Sequence, residues 1–361
     1  MPTRDGEQRA QQAVLRACGG GLGISDLQRE VLGALRRLLP VDAAFFATAD
    51  PDTLLFTGAY AEEPLVAATG QFLDNEFGGE DVNRFSVLAG SVVPVASLDA
   101  ATRSDRWASA RYRDIMRPLG LGDELRAALV TGGACWGYLC LHRAESPLGF
   151  TAGEAALVAR LAPHVAVAVR SAVLVAGQAP GAVDGQGPGV VLLADDLQPV
   201  AVTPAAQRLL DLIPGATTGV AGLPAAIPAV GAALLAQERG TGLPGPPAVR
   251  VATVSGGWLH VSASRLHADA ASEERIAVVL APAPAGETVP LLLTGHGLTP
   301  REAAVARLVL RGASTGTIVD TLHISRYTVQ DHLKAVFDKV GVRSRRELAG
   351  RLLGQSSAGQ A

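Results

Sequence analysis

The side chains with the clearest potential for chemistry lie in the segment Ser325–Gly341. A helix over this segment carries an apolar stripe at the helical period, formed by Val329, Leu333, Val336, Phe337 and Val340. A polar stripe follows another side, formed by Tyr327, Gln330, Asp331, Lys334 and Asp338. These amide, carboxylate and ammonium groups suit hydrogen bonding to a polar partner, but a solvated helix face has the same pattern. The polar stripe therefore needs independent support.

Helix signals precede this segment. Thr299, Pro300 and Glu302 are the residue types expected at the N-cap, first and third positions of a helix. Gly312 supplies a suitable end for that helix. A second helix is predicted over residues 315–322.

A tight turn at residues 323–325 follows, and Ser325 caps the helix with the polar stripe. A fourth helix opens at residues 344–347. Two helices joined by a tight turn, the later one with a polar outer face, form a helix-turn-helix. The recognition helix of such a unit enters the major groove with its N-terminal part.

Charge is distributed unevenly along the chain. The 361 residues carry a formal net charge of -3, but the segment from Leu298 to Gly354 contains ten Lys/Arg against five Asp/Glu, a net of +5. The rest of the chain therefore carries -8. A small basic module attached to a larger acidic body is the charge distribution expected of a DNA-binding domain fused to another function.

Composition divides the chain into three blocks, approximately 20–175, 189–282 and 295–354. Two Gly/Pro-rich segments without apolar periodicity, residues 176–189 and 281–290, are predicted linkers. The first block has an apolar-periodic helix over residues 24–39, a strand hairpin around residues 131–134, and a long closing helix. Thr151 and Glu154 predict a capping box at the start of that closing helix.

The first block, most clearly in residues 120–170, resembles a GAF domain, a small-molecule sensory domain with a central antiparallel sheet. The second block has strand, strand and helix followed by further strand-like sequence, and it resembles a PAS domain. The predicted fold is therefore multidomain, with two α+β domains and an all-α C-terminal domain of four helices.

Residues 298–348 resemble the LuxR-type helix-turn-helix over nearly the whole of that domain. The resemblance rests on the LTPRE opening, the IS-x-x-TV-x-x-H run from Ile324 to His332 and the K-V-G-V-x-S-R run from Lys339 to Arg345. It implies a DNA-binding transcription regulator whose recognition helix spans residues 326–340.

The resemblance also implies roles for individual residues. Those implied to face base edges are Gln330, Asp331 and Lys334. Those implied to lie nearer the phosphates are Ser325, Arg326, Tyr327 and Thr328, with Lys339, Arg343 and Arg345 as further phosphate contacts. The amide of Gln330 suits adenine, Lys334 suits guanine and Asp331 suits cytosine. Because phosphates repel a carboxylate, the alternative for Asp331 is an ion pair with Arg326 or Lys334.

Signatures of catalysis or metal binding were not found in the sequence. It contains no HExxH, no GxSxG and no Cys/His cluster at metal-ligand spacing, so no enzyme activity, cofactor or metal is expected. The chain has three cysteines, an odd number without the spacing of a disulfide framework, which favours a reducing compartment. No apolar signal region follows the N-terminus, and Arg160, His164 and Arg170 interrupt the longest apolar run. A cytoplasmic protein without a membrane span is predicted.

Two functional hypotheses follow. The first is a dimeric regulator that binds double-stranded DNA and senses an unidentified small-molecule ligand in the GAF-like block. The second is a sensory or interaction protein whose C-terminal helices mainly dimerise. Residues 151–176, with Val165 and Val169, are the predicted dimer contact. A GAF pocket would be formed by Trp107, Tyr112, Trp136 and Tyr138, which alternatively fill the core.

Overall fold

The structure is a computed structural model, and it describes residues 4–146, 148–178, 187–214, 222–266 and 274–353. The chain forms two compact units, Met1–Pro282 and Ala283–Ala361. Residues 179–186 of the predicted linker 176–189, and Gly354 at the end of the predicted C-terminal domain, lie outside the described residues.

The first sheet of the N-terminal unit has five antiparallel strands in the order β2-β1-β5-β4-β3. They are β1 Ala43–Ala49, β2 Phe56–Ala61, β3 Val95–Ser97, β4 Leu121–Thr131 and β5 Ala134–Ala144. The predicted hairpin is confirmed as β4 and β5. Its turn contains Gly132 and Gly133, both at positive φ (62° and 77°), a conformation that glycine adopts without a Cβ penalty.

Helices surround this sheet. They are α1 Arg4–Gly19, α2 Ile24–Leu35, α3 Thr69–Gly78, α4 Phe85–Ala89, α5 Leu98–Ala101 and α6 Ala152–Gln178. Short 3-10 helices occupy Leu65–Ala68, Arg106–Ala108 and Arg117–Leu119, and Tyr112–Met116 forms a π-helix.

Helix α6 begins with the predicted capping box. The backbone N–H of Thr151 donates to Glu154 at 2.7 Å, and the N–H of Glu154 donates to the Thr151 hydroxyl at 3.3 Å. The helix packs on β4 and β5, which leaves Val165 and Val169 buried within the protomer. Neither valine is therefore available for the predicted dimer contact. Among the described residues, α6 is the one helix long and apolar enough to cross a membrane, and 44% of its most apolar stretch is buried.

The second sheet has the same strand order as the first, β7-β6-β10-β9-β8, again antiparallel. Its strands are β6 Gly189–Leu193, β7 Pro199–Val202, β8 Ala248–Ala252, β9 Trp258–Leu266 and β10 Arg275–Pro282. Helix α7, Pro204–Leu210, follows β7 and is capped by the Thr203 hydroxyl. Helix α8, Ala226–Glu238, packs on β9 and also on α3 of the first sheet.

One hydrophobic core runs through both sheets of the N-terminal unit. Phe45 and Phe56 of the first sheet belong to the same buried cluster as Val191 and Val249 of the second. Arg250 on β8 also binds Asp50 after β1 through its backbone N–H at 2.9 Å and its Nε at 2.8 Å. The predicted blocks 20–175 and 189–282 thus lie in one compact unit, and the boundary between them stays a prediction.

Within residues 283–353, the described part of the C-terminal unit, there is one more helix than the sequence predicted. The helices are α9 Ala285–Gly295, α10 Pro300–Leu310, α11 Thr315–Leu322, α12 Arg326–Val340 and α13 Arg345–Leu353. Helix α9 occupies much of the predicted linker 281–290 and packs on α10 and α13. The linker prediction was wrong there because Val289, Leu291 and Leu292 are buried against the other helices, which offsets the poor local helix signals.

Candidate nucleic-acid interface and ligand cleft

The helix-turn-helix consists of α11, a short turn and α12. Ser314 caps α11 by accepting the N–H of Thr317 at 3.1 Å, and Ser325 caps α12 by accepting the N–H of Thr328 at 3.1 Å. His323 ends α11 in the left-handed conformation with φ at 52°. These local bonds fix where one helix ends and the next begins.

The apolar stripe and the polar stripe of α12 lie on different sides of the helix, as their spacing in the sequence predicts. Val329, Leu333, Val336 and Val340 are at most 4% exposed and pack inside the unit. The predicted base-facing residues Gln330, Asp331 and Lys334 are all exposed. Since the apolar stripe fixes the rotation of α12, the polar stripe forms one continuous outward surface.

The N-terminal end of α12 is also outward. Tyr327 is 85% exposed, Ser325 and Arg326 are exposed, and Thr328 is half-buried. The first backbone N–H groups of a helix have no partner within it and carry the positive end of the helix dipole. A phosphate fits there without any further charge.

Asp331 keeps a free carboxylate in this arrangement. Within residues 274–353, all of which the structure describes, no ion pair joins Asp331 to Arg326 or Lys334. The predicted alternative of an intramolecular pair is absent from this conformation. Asp331 therefore offers only acceptor atoms to a partner of α12.

Lys339 and Arg345, two of the predicted phosphate contacts, make bonds within the unit. Lys339 donates to Glu302 at 2.7 Å and to the Gly297 carbonyl at 3.1 Å. Arg345 donates to the Ala313 carbonyl at 2.7 Å and to the Thr315 hydroxyl at 3.0 Å. Arg343, the third, is exposed. Unlike the other two, the Arg343 side chain makes no hydrogen bond or ion pair within residues 274–353.

Glu302 connects α10 to α12. It completes a capping box with Thr299 and accepts the Lys339 ammonium. Burial raises the pKa of Glu302, but the hydrogen bonds from Lys339 and the Thr299 N–H, with the charge of Lys339, lower it by more. The net shift is downward, so the carboxylate form is stabilised.

A second concave site lies in the N-terminal unit, beside the first sheet. The cleft is partly open to solvent: the free space within it is about 40 Å³, and it rises to about 650 Å³ when the open solvent at its mouth is counted. It is lined mainly by apolar side chains, among them Phe45, Phe56, Phe72, Met116 and Pro228, with Arg111 and His142 as the principal polar groups.

The aromatic residues predicted to form a pocket are elsewhere. Trp107 is 52% exposed, with the Arg117 guanidinium 4.8 Å above its ring. Tyr112, Trp136 and Tyr138 are buried in the core. The lining of the cleft includes none of these four side chains, which corrects that prediction. Phenylalanines from β1, β2 and α3 form the aromatic wall instead.

A buried polar group adjoins the cleft. Glu124, Cys140 and His142 offer ligand atoms within 4.8 Å of one another, the spacing of a metal site. However, two guanidinium groups already face the carboxylate, Arg111 at 2.6 Å and Arg126 at 3.1 Å. These permanent cations oppose a metal ion at this carboxylate, so the group does not fit one.

Two protein family models match the chain, one at each end of it. Residues 296–352 match the family model of bacterial regulatory proteins of the luxR family, and residues 24–169 match the GAF domain model. No curated protein matches the chain.

Two solved structures resemble the chain. The LBD domain of VqsR from Pseudomonas aeruginosa is 18% identical, with a TM-score of 0.32, over 46% of this chain and 95% of that one. The E. coli DhaR(N)-DhaL complex is 11% identical, with a TM-score of 0.24, over 78% and 92%. Likenesses of this size do not establish a shared function. On the family models, the chain carries a GAF domain followed by a LuxR-type helix-turn-helix domain.

Proposed function

We propose that this protein is a transcription regulator that inserts α12 into the major groove of double-stranded DNA, under the control of a signal sensed in the N-terminal unit. The observation that carries the proposal is the outward polar stripe of α12, within a domain that matches the luxR family. The +5 charge of the segment Leu298–Gly354 supports it, because phosphate neutralisation supplies much of the affinity for DNA.

Within this proposal, Gln330, Asp331 and Lys334 contact base edges. Ser325, Arg326, Tyr327, Thr328 and Arg343 lie against the phosphate backbone. Lys339 and Arg345 already hold parts of the unit together, and they reach phosphate only by sharing their remaining N–H groups. Their main contribution is to keep α12 and α13 in place.

The N-terminal unit senses the signal in its GAF domain, in the cytoplasm and without catalysing a reaction. The second sheet is a PAS-like domain, which is supported by its strand order, identical to that of the GAF-matched sheet. The protein acts as a homodimer, because two recognition helices reach half-sites one helical turn apart, at about 34 Å.

A mobility-shift titration of the full chain against genomic fragments tests the proposal. We expect sequence-selective retention at moderate salt, and loss of that selectivity for Gln330→Ala. The matched control is Gln198→Ala, an exposed glutamine of the N-terminal unit, which leaves retention unchanged. If the full chain retains no fragment selectively, the C-terminal helices serve another purpose, such as dimerisation alone.

A further inference from the structure

The cleft beside the first sheet is apolar over most of its wall. Phe45, Phe56 and Phe72 line one part of it, and Pro228 of α8 contributes from the second sheet's side. Phe45 and Phe72 are 5.2 Å apart between ring centroids. Walls of this kind favour a small ligand with an apolar body, held in orientation by a few polar groups.

Arg111, one of the polar groups in the lining, has its N–H groups engaged by the protein. Its Nε donates to Glu124 at 2.7 Å, and its terminal nitrogens donate to Asn75 at 3.1 Å and to the Val82 carbonyl at 2.8 Å. A second carboxylate, that of Asp81, lies 3.8 Å away. Most donors of Arg111 are therefore engaged, and two carboxylates compensate its charge, so it is a poor partner for an anionic ligand.

His142 is different, because its hydrogen-bonding role follows from its neighbours. Charges of Arg111 and Arg126 outweigh burial and hold the pKa of Glu124 well below its usual range, whereas burial raises the pKa of the Cys140 thiol. Because a carboxylate is a stronger acceptor than a neutral imidazole nitrogen, we assign the Cys140 S–H as the donor to Glu124, at 3.4 Å. The Cys140 sulfur, 3.2 Å from His142 Nε2, is then left to accept a proton from that nitrogen.

This assignment of donors determines the tautomer of His142. Burial lowers the pKa of His142 to about 4, so the ring is neutral near pH 7. With its single proton on Nε2, the ring presents a bare acceptor at Nδ1. Nδ1 is buried and has no hydrogen-bond partner among the residues that the structure describes. Buried polar atoms without a partner are rare in folded proteins and cost free energy.

We propose that the cleft binds a neutral, mostly apolar small molecule that donates one hydrogen bond, from a hydroxyl or N–H group, to Nδ1 of His142. This inference rests on the proposed function of the GAF domain as the sensor and adds the chemical class of its ligand. The ligand also contacts α8, which packs on the second sheet, because the lining includes Ala225 and Pro228.

Three probes of similar size separate the possible chemistries: phenol, toluene and benzoate. Phenol has the apolar body and a donor, toluene replaces the hydroxyl by a methyl group, and benzoate carries a negative charge. Their dissociation constants for the full chain are measured by ligand-observed NMR titration into the millimolar range, about 1 mM and above. We expect phenol to bind at least about fivefold more tightly than toluene or benzoate, the value of one net hydrogen bond.

Two variants test the role of His142. His142→Phe keeps the ring but removes the acceptor, and Cys140→Ala removes the group that fixes the tautomer. We expect both to abolish the preference for phenol over toluene while toluene still binds. His164→Phe, the same change at an exposed histidine of α6, keeps the preference. Near-UV circular dichroism and the thermal midpoint establish that each variant is folded.

Several results would overturn the inference: equal affinity of the wild-type protein for phenol and toluene, tighter binding of benzoate, or no binding of any probe. A preference for phenol that persists in His142→Phe would also exclude His142 as the acceptor. If both variants fail to fold, the comparison of the three probes on the wild-type protein still decides the ligand class. DNA retention, measured separately, shows whether the regulator proposal stands without the ligand proposal.

Discussion

Lys334 and Arg343 are two exposed cations of the C-terminal unit with different predicted partners. Lys334 lies on the polar stripe of α12, whereas Arg343 follows the helix after Gly341. A side chain that reads a base edge changes the preference among sequences, while a phosphate contact changes affinity uniformly. We expect Lys334→Ala to cost about 1–3 kcal/mol at the preferred site and to relax specificity at one position.

Arg343→Ala is the matched control for that prediction. We expect it to weaken binding by a similar factor at all sequences and to reduce the slope of affinity against salt by about one unit. Both proteins are measured by competition binding against a randomised DNA pool at several salt concentrations. A uniform loss for Lys334→Ala would make Lys334 a phosphate contact.

Glu302 gives the C-terminal unit a specific pH dependence. Its pKa in the folded protein is below the ordinary value, because the hydrogen bonds from Lys339 and Thr299 outweigh burial. Its contribution to stability is therefore complete above the ordinary carboxyl pKa of about 4.3 and is lost as pH falls through the lower folded value. We expect Glu302→Gln to destabilise α10 at neutral pH and to make its stability less sensitive to acid.

Amide hydrogen exchange of the α10 backbone between neutral pH and about pH 3 measures this effect locally. Asp320→Asn, a change at an exposed carboxylate of the same unit, serves as the control and keeps the acid sensitivity of the wild-type protein. Equal acid sensitivity in Glu302→Gln and the wild-type protein would rule out the link to Lys339.

At the scale of elements, the ends of the C-terminal helices are set by single residues. Gly341 ends α12 at φ 74°, and a Cβ built there meets no atom within 4 Å. The effect of Gly341→Ala is thus purely conformational, and we expect a loss of about 1 kcal/mol in the free energy of unfolding of the C-terminal unit.

Gly316 in α11 provides a control of opposite sign. It has a normal helical φ, and an added Cβ lies 3.7 Å from the nearest atom, the Ser314 hydroxyl oxygen. We expect Gly316→Ala to stabilise the unit by about 0.5–1 kcal/mol, because alanine has less conformational freedom when unfolded. Urea unfolding followed by far-ultraviolet circular dichroism measures both variants. Changes of the same sign would show that the helix ends do not control stability here.

The elements that the sequence predicted well are those with local signals. The capping boxes at Thr299 and Thr151 each join residues three apart, so the sequence alone contains the complete bond. Helix α9 was missed because its stability comes from burial against α10 and α13, which no local pattern encodes. Propensity favoured a linker there, and tertiary packing prevailed.

The cleft could be predicted only in part, for a related reason. Its walls come from strands and helices that are distant in the sequence, and the bond between Asp50 and Arg250 spans 200 residues. One signal was present: Cys140 and His142 are two apart on a strand and therefore share a face. On β1, Cys140 pairs with Phe45 and His142 pairs with Ala43, which brings that face of the strand to the cleft.

At the scale of the whole molecule, the two sheets of the N-terminal unit share one core, and the cleft borders a helix, α8, that contacts both. Pro228 of α8 lines the cleft, and the same helix packs on β9. Gly177 near the end of α6 lies so close to the Trp258 indole that a Cβ would come within 2.2 Å of it. Since close-packed elements transmit displacements, a ligand that shifts α8 would also displace the strands that α8 contacts in both sheets.

The outward face of α6 is the remaining candidate on this helix for the contact between two protomers. With Val165 and Val169 buried in the protomer, the outward face of α6 contains Val167 and Val175, which are 41% and 70% exposed. In an isologous dimer built on this face, each side chain occurs twice across the two-fold axis. Val167→Glu places two like charges at that contact, and we expect the dimer to dissociate to monomers in sedimentation velocity experiments.

The same variant should lose affinity for DNA with two half-sites. In the dimer, binding of one recognition helix holds the second at a high effective concentration near its half-site, and a monomer lacks this second helix. Its affinity for a single half-site should remain unchanged, since α12 is unaltered. Val200→Glu, the same substitution at a 52% exposed valine of β7, is the matched control and stays dimeric. A Val167→Glu protein that remains dimeric would show that the two protomers meet through another surface.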